Sequence, residues 1–117
     1  MVGHIVNGQL DKSHPASLSK ATVSGVLRTD IGWAGPVISD DMQAPAITKA
    51  YGGAEAIALA LEAGVDLLLF ANQQVYDGTI VANAIAIIER LVTSGRISED
   101  RIDESVSRIE GLFAPVE

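Results

Sequence analysis

The sequence predicts an α/β fold of three parallel βα units, and three observations carry that prediction. Strand-like apolar runs alternate with runs whose apolar residues recur at helical spacing. Two of the strand-like runs, 36–39 and 65–70, show little polar alternation, which suits strands covered on both faces. Glycines such as Gly32, Gly35, Gly64 and Gly95 fall at the joints, where turns and helix ends favour them. Composition agrees: at 48% hydrophobic but 4% aromatic, the core must be built from Ala, Val, Ile and Leu. So apolar a chain buries enough surface to offset its ordering entropy, which excludes disorder. The absence of cysteine excludes a disulfide scaffold.

The elements follow in order. Residues 1–5 form a short apolar strand with no turn or cap in front of it. Gly8, Asp11, Ser13 and Pro15 make 7–15 a loop. Ser17 or Ser19 caps a helix running to about residue 29, with Leu18, Ala21, Val23, Val26 and Leu27 on its inner face. The second strand, 36–39, ends in Asp40-Asp41, and Trp33 in the preceding turn reads as a packing residue covering the strand start. Residues 42–53 are a longer loop with a helical turn at 46–50. A helix over 54–63 is closed by Gly64 at the C′ position. The third strand, 65–70, contains Leu67-Leu68-Leu69, a run that implies burial on both faces.

Asp77 reads as the N-cap of the longest helix, 78–93. Val81, Ile85, Ile88 and Val92 form one stripe of it, and Ile80, Ala84, Ile87 and Leu91 a second, a width that suits contact with both a sheet and another helix. A last helix, 103–114, places Ile102, Val106, Ile109 and Phe113 at helical spacing. The acids of this tail, Glu99, Asp100, Asp103, Glu104, Glu110 and Glu117, against Arg101 and Arg108, read as a solvated helix face.

Charge narrows the partners. Fifteen acidic against eight basic side chains give a net charge of −7, and the scattered basic residues do not make a phosphate-binding surface, so no nucleic acid partner is expected. The most apolar window, 54–71, is interrupted by Glu55, Glu62 and Asp66 and is not a membrane span. With no leader signature at the N-terminus, the default location is the cytoplasm.

Chemistry in parallel sheets and barrels gathers where the strands end, because the loops there converge on one face. Three places qualify: His4 with Asn7, Ser39-Asp40-Asp41, and 72–74. The second is the most informative, since two carboxylates directly after a buried strand need partners or a role. A capping and solvated pair explains it as well as a functional one does. A functional carboxylate here could bind a metal, accept a phosphoryl group or attack an anomeric carbon. The phosphoryl-acceptor reading calls for an acidic pair near an earlier strand and a lysine after a later one, and neither is present. His4 and His14 stand ten residues apart with loop between them and match no ligand set, so both read as structural and no metal or cofactor is expected. There is no phosphate-cradling P-loop and no serine nucleophile elbow, Ser24-Gly25 lying inside a predicted helix.

The string Leu27-Arg28-Thr29-Asp30-Ile31-Gly32-Trp33-Ala34-Gly35, followed by Val37-Ile38-Ser39-Asp40-Asp41-Met42-Gln43, closely resembles the nucleophile region of glycoside hydrolase family 3, in its β-N-acetylhexosaminidase branch. Gly3-His4-Ile5, Pro15-Ala16-Ser17-Leu18-Ser19, Gly64-Val65-Asp66-Leu67-Leu68-Leu69, Gly95-Arg96-Ile97-Ser98 and Arg101-Ile102-Asp103-Glu104-Ser105-Val106 agree with the same family in the same order, so the resemblance spans essentially the whole chain. It implies that residues 1–117 are one fragment of a TIM (β/α)₈ barrel, a fold of about 250 residues, covering its sixth to eighth strands. It implies Asp40 as the nucleophile of a retaining glycosidase, Asp41 as a neighbouring loop-ordering or substrate-binding group, and His4 beside the sugar pocket. The family's acid/base, a His-Asp dyad in a Lys-His…Gly-His motif, has no counterpart in these residues.

The expectations that follow concern the polypeptide as a molecule. Alone it is expected to be inactive, and to act on N-acetylglucosamine-containing glycosides only when the missing barrel part completes it. Its open strand edges imply self-association into a homo-oligomer or pairing with a complementing barrel fragment. A start inside a strand implies an interrupted gene, an internal start or a cut fragment. The competing expectation is a non-catalytic α/β interaction module that keeps the barrel remnant as an assembly surface. A carbohydrate-binding remnant is a third, disfavoured by the shortage of aromatic stacking platforms.

Overall fold

A computed structural model describes residues 1–116; Glu117, counted above with the acidic tail, lies outside the described residues. Three extended segments lie side by side and parallel, pairing at Val2 with Ser39 and at Ile38 with Leu67. The second segment is therefore central. Val2 N–H donates to Ile38 O and Asp40 N–H to Val2 O, while Ser39 N–H donates to Leu67 O and Met42 N–H to Leu69 O.

The pairing does not extend into regular strands among the described residues, and between the second and third segments two side chains take backbone donors. The Asp66 carboxylate takes the Val37 N–H (2.9 Å), and the Ser39 hydroxyl takes the Leu69 N–H (3.0 Å). Each intercepts a backbone donor that a ladder would have used.

Around this layer run a 3₁₀ turn (Ala16–Leu18), a π-helix (Ala21–Asp30), α1 (Pro45–Thr48), α2 (Gly53–Ala63), α3 (Ile80–Thr93) and α4 (Glu99–Leu112). The expected helix after Ser19 is present, but its turns are wider than α, with Ile31 N–H bonding back to Val26 O. Ser19 caps its first turn by accepting the Thr22 N–H. The wide turn presents buried Val23, Ser24 and Arg28 together to the end of α2: Ser24 Oγ donates to Ala63 O, and Arg28 reaches Gly64 O and Asp66.

Helix α2 is the central packing element. Its Ala56, Ala60 and Ala63 join Leu18, Val23, Val37, Met42, Ile47 and Val65 in one core, while Ile57 and Leu61 join Ala84 and Ile97 in a second. Alanine at the contact positions lets α2 approach the extended layer closely. Gly64 ends the helix at φ +110°, a backbone state that favours glycine.

Several sequence expectations need correction. Thr79, not Asp77, precedes the first residue of α3; the Asp77 carboxylate instead accepts both the N–H and the hydroxyl of Thr79. Helix α4 begins four residues before the expected 103, because Ser98 caps it by accepting the Arg101 N–H and Glu99 and Asp100 suit its first turn. Phe113 lies past its end and is 81% exposed. The Leu67-Leu68-Leu69 run is half-buried rather than covered on both faces: Leu68 packs against both cores, while Leu67 lines an open concavity with Trp33 and Ile38. Of the two stripes on α3, Ala84 packs on α2 with Ile87 and Leu91, whereas Val81 (63% exposed) and Ile85 (53%) face outward. Trp33 is also half-exposed, its Nε1 donating to Pro36 O at the start of the second segment.

The face that α4 turns inward is partly polar. Arg101, Ser105 and Arg108, spaced at i, i+4 and i+7, meet the Asp66 carboxylate, whose side chain is fully buried. Asp66 Oδ1 accepts from Ser105 Oγ (2.6 Å) and Arg108 Nη1 (3.0 Å); Oδ2 accepts from Arg28 Nη2 (2.7 Å) and Val37 N–H. Arg101 sits 3.6 Å from Oδ1 and also donates to Leu61 O and Val65 O. Burial pulls the Asp66 carboxyl upward, but Ser105, the Val37 N–H and Arg108 outweigh it, leaving the group below its ordinary 3.8. Desolvation lowers the Arg101 guanidinium from its ordinary value, against the pull of Asp66.

Candidate active site

The carboxyl ends of the three segments meet in one polar network, and all three sequence-nominated places contribute to it. From the first segment, His4 reaches across: its Nδ1 lies 2.6 Å from Ser17 Oγ and its Nε2 lies 2.7 Å from Asp41 O. From the second come Asp40 and Asp41. Asp40 is anchored through its own N–H to Val2 O, and its Oδ1 accepts the Asp41 N–H (2.7 Å). Asp41 Oδ1 accepts two backbone donors, Gln43 N–H (3.0 Å) and Ala71 N–H (3.1 Å), so this carboxylate joins the second segment to the third.

The third segment closes the network through Asn72, the one non-glycine residue at positive φ (+55°) among the described residues. Its N–H donates to Gln43 Oε1 (2.7 Å) and its Oδ1 lies 3.4 Å from Gln43 Nε2, a reciprocal amide pair. The same side chain spans the following loop, donating to Asp77 O and accepting the Asp77 N–H. Asparagine tolerates this left-handed state better than other non-glycine residues, and its amide holds both sides of the loop at once. The sequence marked 72–74 as a strand end but not the pairing of Asn72 with Gln43.

His14 does not join this group. Its ring stacks on Tyr51 with centroids 6.4 Å apart, and it lies 3.3 Å from Asp11 Oδ2, while Asp11 Oδ1 accepts the Ser13 and His14 N–H groups. The hydrogen bond from the Ser13 N–H is the largest influence holding the Asp11 carboxyl below its ordinary value. No cluster of three or more metal-ligating side chains occurs among the described residues. No helix among them is long and apolar enough to cross a membrane. A broad concavity of about 740 Å³ opens at the opposite ends of the segments, lined by Trp33, Pro36, Ile38, Leu67 and Leu112, with Arg108 on its rim already engaged by Asp66. Its apolar walls offer little to a sugar, and the chemistry-bearing groups lie at the Asp40 end.

A carboxylate presented after a parallel segment, on a turn that its neighbour's carboxylate orders, is a group that can act as a nucleophile. Residues 1–112 match the glycosyl hydrolase family 3 N-terminal domain, and the chain belongs to that family. It is 35% identical to the β-hexosaminidase LpqI of Mycobacterium tuberculosis over 98% of its own length and 30% of that protein's. The solved structure of M. tuberculosis LpqI superposes with a TM-score of 0.85 at 34% identity, covering all of this chain and 34% of that one. The β-N-acetylglucosaminidase of Thermotoga maritima superposes with a TM-score of 0.87 at 28% identity, over 98% of this chain and 24% of the enzyme. The chain thus spans about a third of the length of the curated relatives it matches. The resemblance read from the Ser39-Asp40-Asp41 string and its flanks identified the family correctly.

Proposed function

We propose that these 117 residues supply the nucleophile half of a retaining β-N-acetylhexosaminidase site and not its acid/base half. The observation that carries this reading is the state of Asp40: its backbone is fixed on Val2, and among the described residues its carboxylate has a single protein partner, the Asp41 N–H on Oδ1. One lone-pair set is oriented and the other oxygen remains for attack. In the reaction, a carboxylate oxygen of Asp40 forms a bond to the anomeric carbon as the bond to the leaving oxygen breaks. An acid protonates that leaving oxygen, and water then displaces Asp40 with the same group acting as base. No Lys-His…Gly-His motif is present to provide that acid, a contribution of typically 10²–10⁴-fold. The relatives' names support the class of substrate, an N-acetylglucosamine-type β-glycoside.

In this reading the three parallel segments are part of an incomplete (β/α)₈ barrel, residues 1–117 make a single fragment of it, and a complementing barrel fragment is the partner. The test is to mix the chain with a separately expressed upstream part of a family 3 domain and follow a chromogenic N-acetylglucosaminide. The chain alone is expected to show no turnover. The mixture is expected to turn over, and Asp40→Asn in this chain is expected to abolish that. Turnover by the chain alone, failure of two folded parts to complement, or complemented activity indifferent to Asp40→Asn would each overturn the proposal.

A second reading, a self-associating module without catalysis, draws on the outward-facing Val81 and Ile85 of α3 and the half-covered Leu67-Leu68-Leu69 segment. A stable homo-oligomer in light scattering, together with failed complementation, would favour it. A monodisperse folded monomer would count against it.

A further inference from the structure

His4 makes two hydrogen bonds, and their chemistry fixes its protonation pattern. A backbone carbonyl can only accept, so the Nε2 that lies 2.7 Å from Asp41 O must carry the proton. Nδ1 then meets Ser17 Oγ at 2.6 Å. Ser17 is fully buried, and Nδ1 is the only acceptor that its hydroxyl meets among the described residues, so the hydroxyl donates to the ring and Nδ1 accepts. The ring is thus the neutral Nε2–H tautomer, held at one end by a buried serine of the 3₁₀ turn and gripping at its other end the carbonyl of the residue after Asp40.

From this geometry we infer that His4 is a positioning residue: with Ser17 it holds the Asp41 carbonyl, in the peptide that follows the one whose N–H orients Asp40 Oδ1, and thereby restrains the Asp41 backbone on which the direction of that N–H depends. The inference rests on the reading of Asp40 as nucleophile. It replaces the expectation that His4 binds sugar. Both ring nitrogens are engaged by protein, leaving no ring N–H or lone pair for a substrate hydroxyl. The clamp acts on one side of the Asp41 unit while Asp41 Oδ1, through Gln43 N–H and Ala71 N–H, fixes the other. The turn is thereby determined from both flanking segments.

The experiment is NMR of the ¹⁵N-labelled full chain at neutral pH. Long-range ¹H–¹⁵N correlations distinguish the tautomers, and a His14→Gln variant assigns the two histidine rings. The His4 ring is expected in the Nε2–H form. In His4→Leu the Asp40, Asp41 and Ala71 amide resonances are expected to shift, and the Asp41 amide to exchange about tenfold faster or more. His4→Gln, which can restore a donor to Asp41 O, is expected to recover much of that protection. Resonances around Asp66 are expected to stay in place throughout.

An Nδ1–H tautomer, or unchanged Asp41 and Ala71 amides in a folded His4→Leu chain, would overturn the assignment. Should His4→Leu fail to fold, the tautomer in the unaltered chain still decides. Because these readouts need no turnover, they can fail while the complementation test succeeds, and the reverse.

Discussion

At the amino end of the third segment, Asp66 is sealed by three arginines, a serine hydroxyl and a backbone N–H. At the carboxyl end of the second, Asp40 meets one backbone N–H from its own neighbour. Both are aspartates directly beside a parallel segment, and the difference lies in what reaches them. Asp66 draws side chains from the π-helix and α4, elements remote in sequence, and so works as a fastener between layers. Asp40 is surrounded by groups that hold the backbone beneath it and leave its carboxylate comparatively uncommitted. A buried carboxylate with every lone pair engaged is structural, whereas one presented on a rigid base with capacity to spare is suited to chemistry.

The strongest way to break this comparison is Asp66→Ala. Removing the one carboxylate that Arg28, Arg101 and Arg108 share among the described residues leaves only the exposed Glu104, 3.6 Å from Arg108, to offset their charge, and strands the Val37 N–H; breaking such a buried pairing typically costs about 3–5 kcal/mol. That is much of the stability of an ordinary domain. Chemical denaturation should show the chain largely unfolded at low denaturant; a midpoint close to that of the unaltered chain would mean the cluster is not the fastener described.

Ser39→Ala tests the seam between the two regions. Ser39 is fully buried and its hydroxyl takes the Leu69 N–H, so alanine leaves that donor unmet at a cost of about 1–3 kcal/mol. A lowered denaturation midpoint with an unchanged slope is the expected result.

Acid should separate the ends further. Because the folded Asp66 carboxyl lies below its ordinary 3.8, its contribution is complete above that pH and is lost as pH falls through the lower folded value. Stability measured from pH 6 downward is therefore expected to hold to about pH 4 and then decline. In Asp66→Asn that part of the decline should be absent, and a curve parallel to the unaltered chain's would assign the acid sensitivity elsewhere.

How much of this was legible in the sequence follows from distance along the chain. Gly64, the Ser39-Asp40-Asp41 string and the run of parallel segments are local signals, and each was read in place. The Asp66 cluster was not, because Arg28 and Arg108 lie 38 and 42 residues away and nothing in α4 marks Arg101, Ser105 and Arg108 as its inward face. The apolar spacing of Ile102, Val106 and Ile109 was the louder pattern, and it pointed the helix differently. The interception of ladder donors by Ser39 and Asp66 is similarly invisible to periodicity, which registers apolar runs and not which acceptor a backbone N–H finds. At the site, the sequence placed His4, Asp40 and Asp41 at strand ends but could not reveal that His4 faces Asp41 O, or that Gln43 and Asn72 pair.

The smallest expected effect on stability belongs to Asp40→Asn, and it is the sharpest test of the contrast. Asparagine keeps an oxygen in the position of Oδ1 to accept the Asp41 N–H, fills the same volume, and removes a charge that no cation among the described residues pairs with. Its denaturation midpoint should stay within the roughly ±0.5 kcal/mol typical of substitutions that disturb no buried network. A loss of more than about 2 kcal/mol would place Asp40 with Asp66 as a structural carboxylate. A neutral result, beside the collapse expected of Asp66→Ala, would mean that folding does not require the negative charge at Asp40. That is the condition under which a carboxylate kept for attack on an anomeric carbon differs from one kept for the fold.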